Sequence, residues 1–191
     1  MRAIASDQRG AAIMEFGLVV SVFMMMMMGM FDLGQRMYLL SVLRGAAEDA
    51  ARKSSLGGAT PSTLDAEVLS TVRNVAPGAT INTTRQSYFD FADIDRSEQW
   101  NDVDSSGACD NGEAYVDENG NGQWDADIGV SGNGGAGDVV LYTVSITYDP
   151  LFPIPFIDSS AGSRTLSAST VKKNQPFASQ TSYGSVARSC T

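Results

Sequence analysis

A 21-residue apolar run, Ala11 to Phe31 (AAIMEFGLVVSVFMMMMMGMF), begins almost at the start of this chain and is interrupted by one charge, Glu15. A helix needs about 20 such residues to cross the hydrocarbon core of a bilayer, so the run constrains the architecture before anything else is read. A carboxylate inside it costs roughly 2.5–3.5 kcal/mol on insertion scales, which marks Glu15 as a functional residue by default. The competing explanation is that Glu15 snorkels from the helix end toward headgroups in an uncleaved anchor.

The residues before the run argue against an ordinary secretory signal, which is cut after its apolar region. Here the leader Met1 to Gly10 carries Arg2 and Arg9, precedes the apolar segment and has no hydrophobic stretch of its own. A cut between Gly10 and Ala11 removes the leader and leaves the membrane helix on the mature chain.

The string Arg9-Gly10-Ala11-Ala12-Ile13-Met14-Glu15-Phe16 resembles the processing site of type IV prepilins. More narrowly, it is similar to the RGAAAVEF-type start of the TadE-like pseudopilins of the Tad (tight adherence, Flp pilus) system. The resemblance is closest over the first ~45 residues, the span of the helical pattern. It returns in Ser167-Ala168-Ser169-Thr170-Val171-Lys172-Lys173-Asn174-Gln175-Pro176-Phe177, which is similar to a family strand ending in an RNEP-like turn, with Lys173 and Gln175 as departures. The resemblance implies an α+β, pilin-like fold with no enzymatic activity. It assigns Gly10 and Ala11 to processing by a prepilin peptidase, and Glu15 and Phe16 to assembly. The implied partners are that peptidase, other Tad pilins and pseudopilins, the inner-membrane assembly platform and membrane lipid. After cleavage the carboxylate of Glu15 would neutralise the Ala11 amine of a neighbouring subunit, lowering the cost of burying either charge.

Composition narrows the function classes. The chain has 191 residues and no histidine, which removes Ser-His-Asp and Cys-His catalysis and the usual zinc sites. The net charge is −9, and from Gln86 to Val140 there are thirteen Asp or Glu against one basic residue, Arg96. Such a surface disfavours nucleic acid and anionic lipid and favours cations or basic partners. The consecutive methionines Met24 to Met28 do not make a copper site, because successive helical side chains point in different directions. They read as adaptable apolar filler.

The helical period continues past the apolar run through Leu33, Met37, Leu40, Leu43, Ala47 and Ala50, with Gly57-Gly58 as the stop. One helix from about Ala11 to Ser54 would measure roughly 65 Å. A second helix is expected from the N-cap Thr60 and Pro61 through Leu64, Val68, Leu69 and Val72, with Asp65 and Glu67 near the positive end of its dipole. Val139 to Tyr148 reads as a strand with Val140, Tyr142, Val144, Ile146 and Tyr148 on one face, and Arg164 to Val171 as its antiparallel partner. Between them, Leu151 to Ile157 is a Pro-broken apolar loop, either a cover for the core or a lip touching membrane or a partner pilin. The organisation expected is therefore a leader (1–10), a transmembrane helix (11–31), an amphipathic extension (32–58) and a soluble domain (59–191) with a small antiparallel sheet and long acidic loops.

Two features of the soluble part carry chemistry. Asp117, Asn119, Asn121 and Asp125 place oxygen side chains at relative positions 1, 3, 5 and 9, with Gly122 at 6 and Gln123 at 7, matching an EF-hand-type Ca²⁺ loop. Position 12 is Ile128 in place of the usual Glu, so Asp127 is the substitute ligand. A solvated turn of Asx and Gly residues would read similarly. Cys109 and Cys190 would pair in an oxidising compartment, the alternative being two unrelated free thiols. The arginine count across the membrane run is near a tie, Arg2 and Arg9 against Arg36 and Arg44. Leader, cysteine pair and calcium-like loop together favour a single-pass protein of the bacterial inner membrane with its C-terminal domain in the periplasm or in an extracellular pilus. Two classes stay open: a structural pseudopilin, or a membrane-anchored calcium-dependent binding module.

Overall fold

The computed structural model describes residues 9–56, 60–110, 112–151, 162–176, 178–181 and 184–190. Most of the leader, the Gly57-Gly58 stop and the loop beyond Leu151 lie outside the described residues.

Helix α1, Arg9–Ser55, is one unbroken element of 47 residues, roughly 70 Å long at 1.5 Å per residue. No proline interrupts it, and Gly17, Gly29, Gly34 and Gly45 are tolerated at a cost of about 1 kcal/mol each relative to alanine. Its two halves have different surroundings. Between Gly10 and Tyr38 only Asp32 is buried, whereas Leu39, Leu43, Ala47, Ala50 and Ala51 are core residues.

Helix α2, Pro61–Arg73, packs on the second half of α1 through Leu64, Val68 and Val72. Thr60 holds the N-cap position with extended backbone and Pro61 begins the helix, but the Thr60 side chain caps no backbone N–H. Its hydroxyl instead lies against those of Ser62 and Thr63. Asp65 and Glu67 do not serve the helix dipole either. Both lie beyond the first turn, and tertiary partners claim them: Arg85 and Tyr142 for Asp65, Lys53 for Glu67.

The helices cover one face of a four-stranded sheet built from β1 (Thr80–Tyr88), β3 (Val130–Ser131), β4 (Val139–Tyr148) and β5 (Arg164–Lys173) in the order β3-β1-β4-β5, with every pairing antiparallel. Strand β4 sits inside, and Tyr142, Val144, Ile146 and Tyr148 meet Leu166 and Ala168 of β5 and the apolar stripes of both helices. The alternation expected for β4 is present, and β5 extends two residues past Val171. On the other face, hydroxyl pairs join Thr143 to Ser169 (2.9 Å) and Thr147 to Thr165 (3.1 Å).

A second, smaller apolar cluster of Tyr88, Ile128 and Val139, with Ile94, Leu141 and Val171 against it, seats the acidic segment on the sheet. That segment contributes β2 (Ala114–Asp117), which pairs antiparallel with β6 (Val186–Ser189) in a separate two-stranded ribbon. The architecture is α+β: a long N-terminal helix, a short second helix and small antiparallel sheets.

Candidate functional site

The residues expected to carry processing and assembly all lie at the start of α1. Gly10, Ala11, Glu15 and Phe16 are exposed, Phe16 at 68 %. The Gly10–Ala11 bond falls within the first turn of the helix, where the first four N–H groups have no intrahelical partner. Around Glu15 the helix presents Ile13, Met14, Leu18, Val19, Val22 and Phe23, each more than half exposed. Nothing in the described chain covers this surface, and α1 is long and apolar enough to cross a membrane.

The acidic loop after β2 shows which of its side chains converge. Asn119 Nδ2 and Asn121 Nδ2 donate to the same oxygen, Asp125 Oδ2, at 2.7 and 2.6 Å. Asp117, fully buried, accepts from Gly120 N (2.7 Å), Gly122 N (2.9 Å) and Arg188 Nε (2.6 Å). Burial alone would push the Asp117 carboxyl up, but the two N–H groups and the guanidinium outweigh it and hold it below the usual range. Gly120 and Gly122 both have positive φ, at 77° and 83°, which lets backbone N–H groups turn inward toward the carboxylate.

Asp127 and Gln123 stand apart from this convergence. Asp127 faces β1, where its Oδ2 accepts from Tyr88 OH (2.9 Å) and Gln86 Nε2 (3.0 Å) and its Oδ1 from Gly129 N. Ile128 next to it is packed into the smaller core, which turns that end of the loop away from Asp125. Gln123 is exposed, and its N–H is bound by Asn121 Oδ1.

Two residues that sequence reasoning passed over organise the loop. Glu98 is fully buried and accepts from the N–H groups of Glu118 (2.7 Å), Asn119 (3.4 Å) and Asp125 (3.2 Å). Its partners are backbone groups 20, 21 and 27 residues ahead, so no spacing in the sequence announces it. Arg188 reaches Asp117 only because β6 pairs with β2. Arg96 adds a fork between Asp93 (2.9 Å) and Glu118 (2.7 Å), and the bonds from Arg96 lower the Glu118 carboxyl.

The loop meets part of what a hard cation requires. Rotating the two amides would turn their oxygens toward Asp125, giving oxygen donors at positions 3, 5 and 9, and Asp117 supplies a second carboxylate at position 1. The cost is the pair of Asx-turn bonds in which Asn119 Oδ1 and Asn121 Oδ1 accept from the N–H groups of Asn121 and Gln123. Arg188 already supplies one positive charge to Asp117.

Cys109 and Cys190 are joined in a disulfide, with Cα atoms 5.6 Å apart across a separation of 81 residues. The bridge ties the acidic segment to the C-terminal strand, beside the bond from Cys190 N to Glu113 O at 2.8 Å.

No curated protein and no solved structure matches this chain. Residues 10–52, the exposed apolar helix and its continuation into the core, fit the family model described as TadE-like protein, so the N-terminal arm of this chain is similar to a TadE-like domain.

Proposed function

We propose that this chain is a minor pilin or pseudopilin of a Tad-type pilus, cut after Gly10 and taking part in pilus assembly, initiation or tip adhesion. The observation that carries the reading is the division of α1: an exposed apolar half containing Glu15, and a second half built into the domain core. An exposed apolar helix of this length needs lipid or the same helix of neighbouring subunits to cover it. In a bundle of such helices Glu15 meets the new amine of Ala11 on a neighbour, which compensates a charge that otherwise opposes burial. On this reading the prepilin peptidase, other pilins and the inner-membrane platform are the partners, and the soluble domain lies on the periplasmic side.

N-terminal sequencing of the membrane-associated protein tests it. An N-terminus at Ala11 supports the pseudopilin, whereas retention of Met1 points to the second reading, a membrane-anchored binding module. The loop from Asp117 to Asp125 favours that alternative, because a cation-binding domain on a single-pass anchor needs no filament. Within either reading we assign Ca²⁺ to this loop, with Asp117, Asn119, Asn121 and Asp125 as side-chain donors and Gln123 through its carbonyl.

A further inference from the structure

The segment just before β2 contains a second oxygen pattern, more complete than the first. Counting from Asp102, oxygen side chains fall at position 1 (Asp102), 3 (Asp104), 5 (Ser106) and 9 (Asp110), with Gly107 at 6, the Ala108 carbonyl at 7 and Glu113 at 12. That is the full register of a twelve-residue Ca²⁺ loop, including the terminal glutamate that supplies two oxygens at once. The loop at Asp117 has Ile128 in the corresponding place.

The fold, independently of the spacing, brings the ends of this register together. Carboxylate oxygens of Asp102, Asp104 and Glu113 lie within 4.8 Å of one another, although Glu113 follows Asp102 by eleven residues. Glu113 is only 6 % exposed. Three carboxylates that close together, one of them buried, repel strongly unless positive charge is supplied. Gly107 takes φ +76° at the position where such loops turn sharply. The carboxylates are oriented by N–H groups: Asp102 accepts from Ser106 and Gly107 (3.0 and 3.1 Å), Asp104 from Ser106 (3.0 Å), and Glu113 from Val103 (2.6 Å). A carboxylate oxygen that accepts one N–H still has a lone pair for a metal.

We propose that Asp102–Glu113 is a calcium-binding loop, with Asp102, Asp104, Ser106, Asp110 and Glu113 as side-chain donors and Ala108 through its carbonyl. It is flanked by the isolated bridge Trp100–Tyr115 and by β2 in place of the two helices of an EF-hand, and it is held from outside by two attachments. Cys109 at position 8 is bonded to Cys190, and the Glu113 carbonyl accepts from Cys190 N. A loop stapled at its eighth and twelfth residues is preorganised, so less ordering cost opposes metal binding. The site is distinct from the loop at Asp117 and does not depend on the pseudopilin assignment.

The test is calorimetric titration of Ca²⁺ into the full chain, in non-ionic detergent after removal of bound metal with chelator. The wild type should take up one Ca²⁺ per chain more than Glu113→Gln, which keeps an acceptor for Val103 N–H but loses the charge. Asp104→Asn, at an exposed position, guards against misfolding of the first variant and should weaken the same binding event more than tenfold. Repeating the series on an Asp117→Asn/Asp125→Asn background separates the loops, because the difference of one ion should persist there. Equal stoichiometry and affinity for the wild type and both variants overturns the proposal, as does absence of any uptake by the wild type at millimolar Ca²⁺.

Discussion

Arg164 Nη1 donates to Asp32 Oδ2 at 2.5 Å, although the two residues are 132 positions apart. Asp32 stands one residue past the apolar run, and Arg164 opens β5, so the pair pins the sheet to α1 where the helix leaves its exposed half. Both side chains are largely buried, at 7 % and 15 % exposure. Removing one partner of such a pair leaves an uncompensated charge, which typically costs 3–5 kcal/mol. Asp32→Ala should therefore lower the melting temperature of the full chain by several degrees. Asp32→Leu combined with Arg164→Met should recover most of the loss; equal melting of wild type and single variant would show that the pair carries no stability.

Stability should fall with acid in a defined direction. Asp65 and Asp117 are held below their ordinary 3.8, and Glu118 below 4.5. For Asp65, burial pushes the other way, and the bonds from Arg85 and Tyr142 outweigh it. Because the folded values are depressed, the stabilisation is complete above the unfolded values and is lost as pH drops through the folded ones. Melting temperatures recorded from pH 7 to pH 3 should be level at first and then decline below about 4.5. Asp65→Asn should lower the plateau and make the decline shallower.

The Cys109–Cys190 bridge should show no free thiol until it is reduced. Closing 81 residues of chain contributes up to roughly 4 kcal/mol in the chain-entropy model. Reduction should thus lower the melting temperature measurably while α1 and β4, whose core lies elsewhere, keep their circular-dichroism signal. Two thiols alkylated in the untreated protein would contradict the bridge.

Gly10→Val should leave full-length precursor in the membrane. On the pseudopilin reading, Glu15→Val should be cleaved and inserted yet fail to assemble, because a neighbour's Ala11 amine would then lack its counter-charge. Pili formed efficiently by the Glu15 variant would refute the pairing.

Leu43 is fully buried where α1 meets α2 and the sheet. Leu43→Ala should cost about 2–5 kcal/mol, the usual range for such a cavity. Leu33→Ala, in the exposed half at 60 % exposure, should leave melting in detergent nearly unchanged.

The elements that sequence reading reached are those whose signal is local. Helix α1 is written in a membrane-length apolar run followed by a helical period from Leu33 to Ala50, and β4 in five alternating apolar residues that all turn out to be buried. Strand β1 was not legible as a separate strand, because Thr80–Tyr88 (TINTTRQSY) is polar on both faces and is held mainly by pairing along the whole of β4. The acidic loop at Asp117 is legible as a donor pattern because Asn-Gly repeats mark its turn. In Asp102–Glu113 serine stands at the fifth position and a cysteine interrupts the oxygens, so the same spacing is harder to see in the sequence. Glu98 and Arg188 could not have been found, because each acts on Asp117 or its neighbours through a tertiary fold that brings distant chain together.

Tyr88 and Val139 are Cα partners across β1 and β4, so the fifty residues between them depart from and return to one point of that strand pair, adding only the two-residue β3 to the sheet. Both acidic loops, the arginine fork and one end of the disulfide hang from what is topologically the tip of a single hairpin. Lengthening such an excursion costs only a logarithmic increment of closure entropy, about 0.6 kcal/mol for each doubling. The helices and the sheet they cover can thus stay constant while the hairpin's cargo is enlarged, trimmed or exchanged. On the pseudopilin reading, that cargo would be the part of the subunit free to diversify without disturbing its neighbours in a filament of stacked helices.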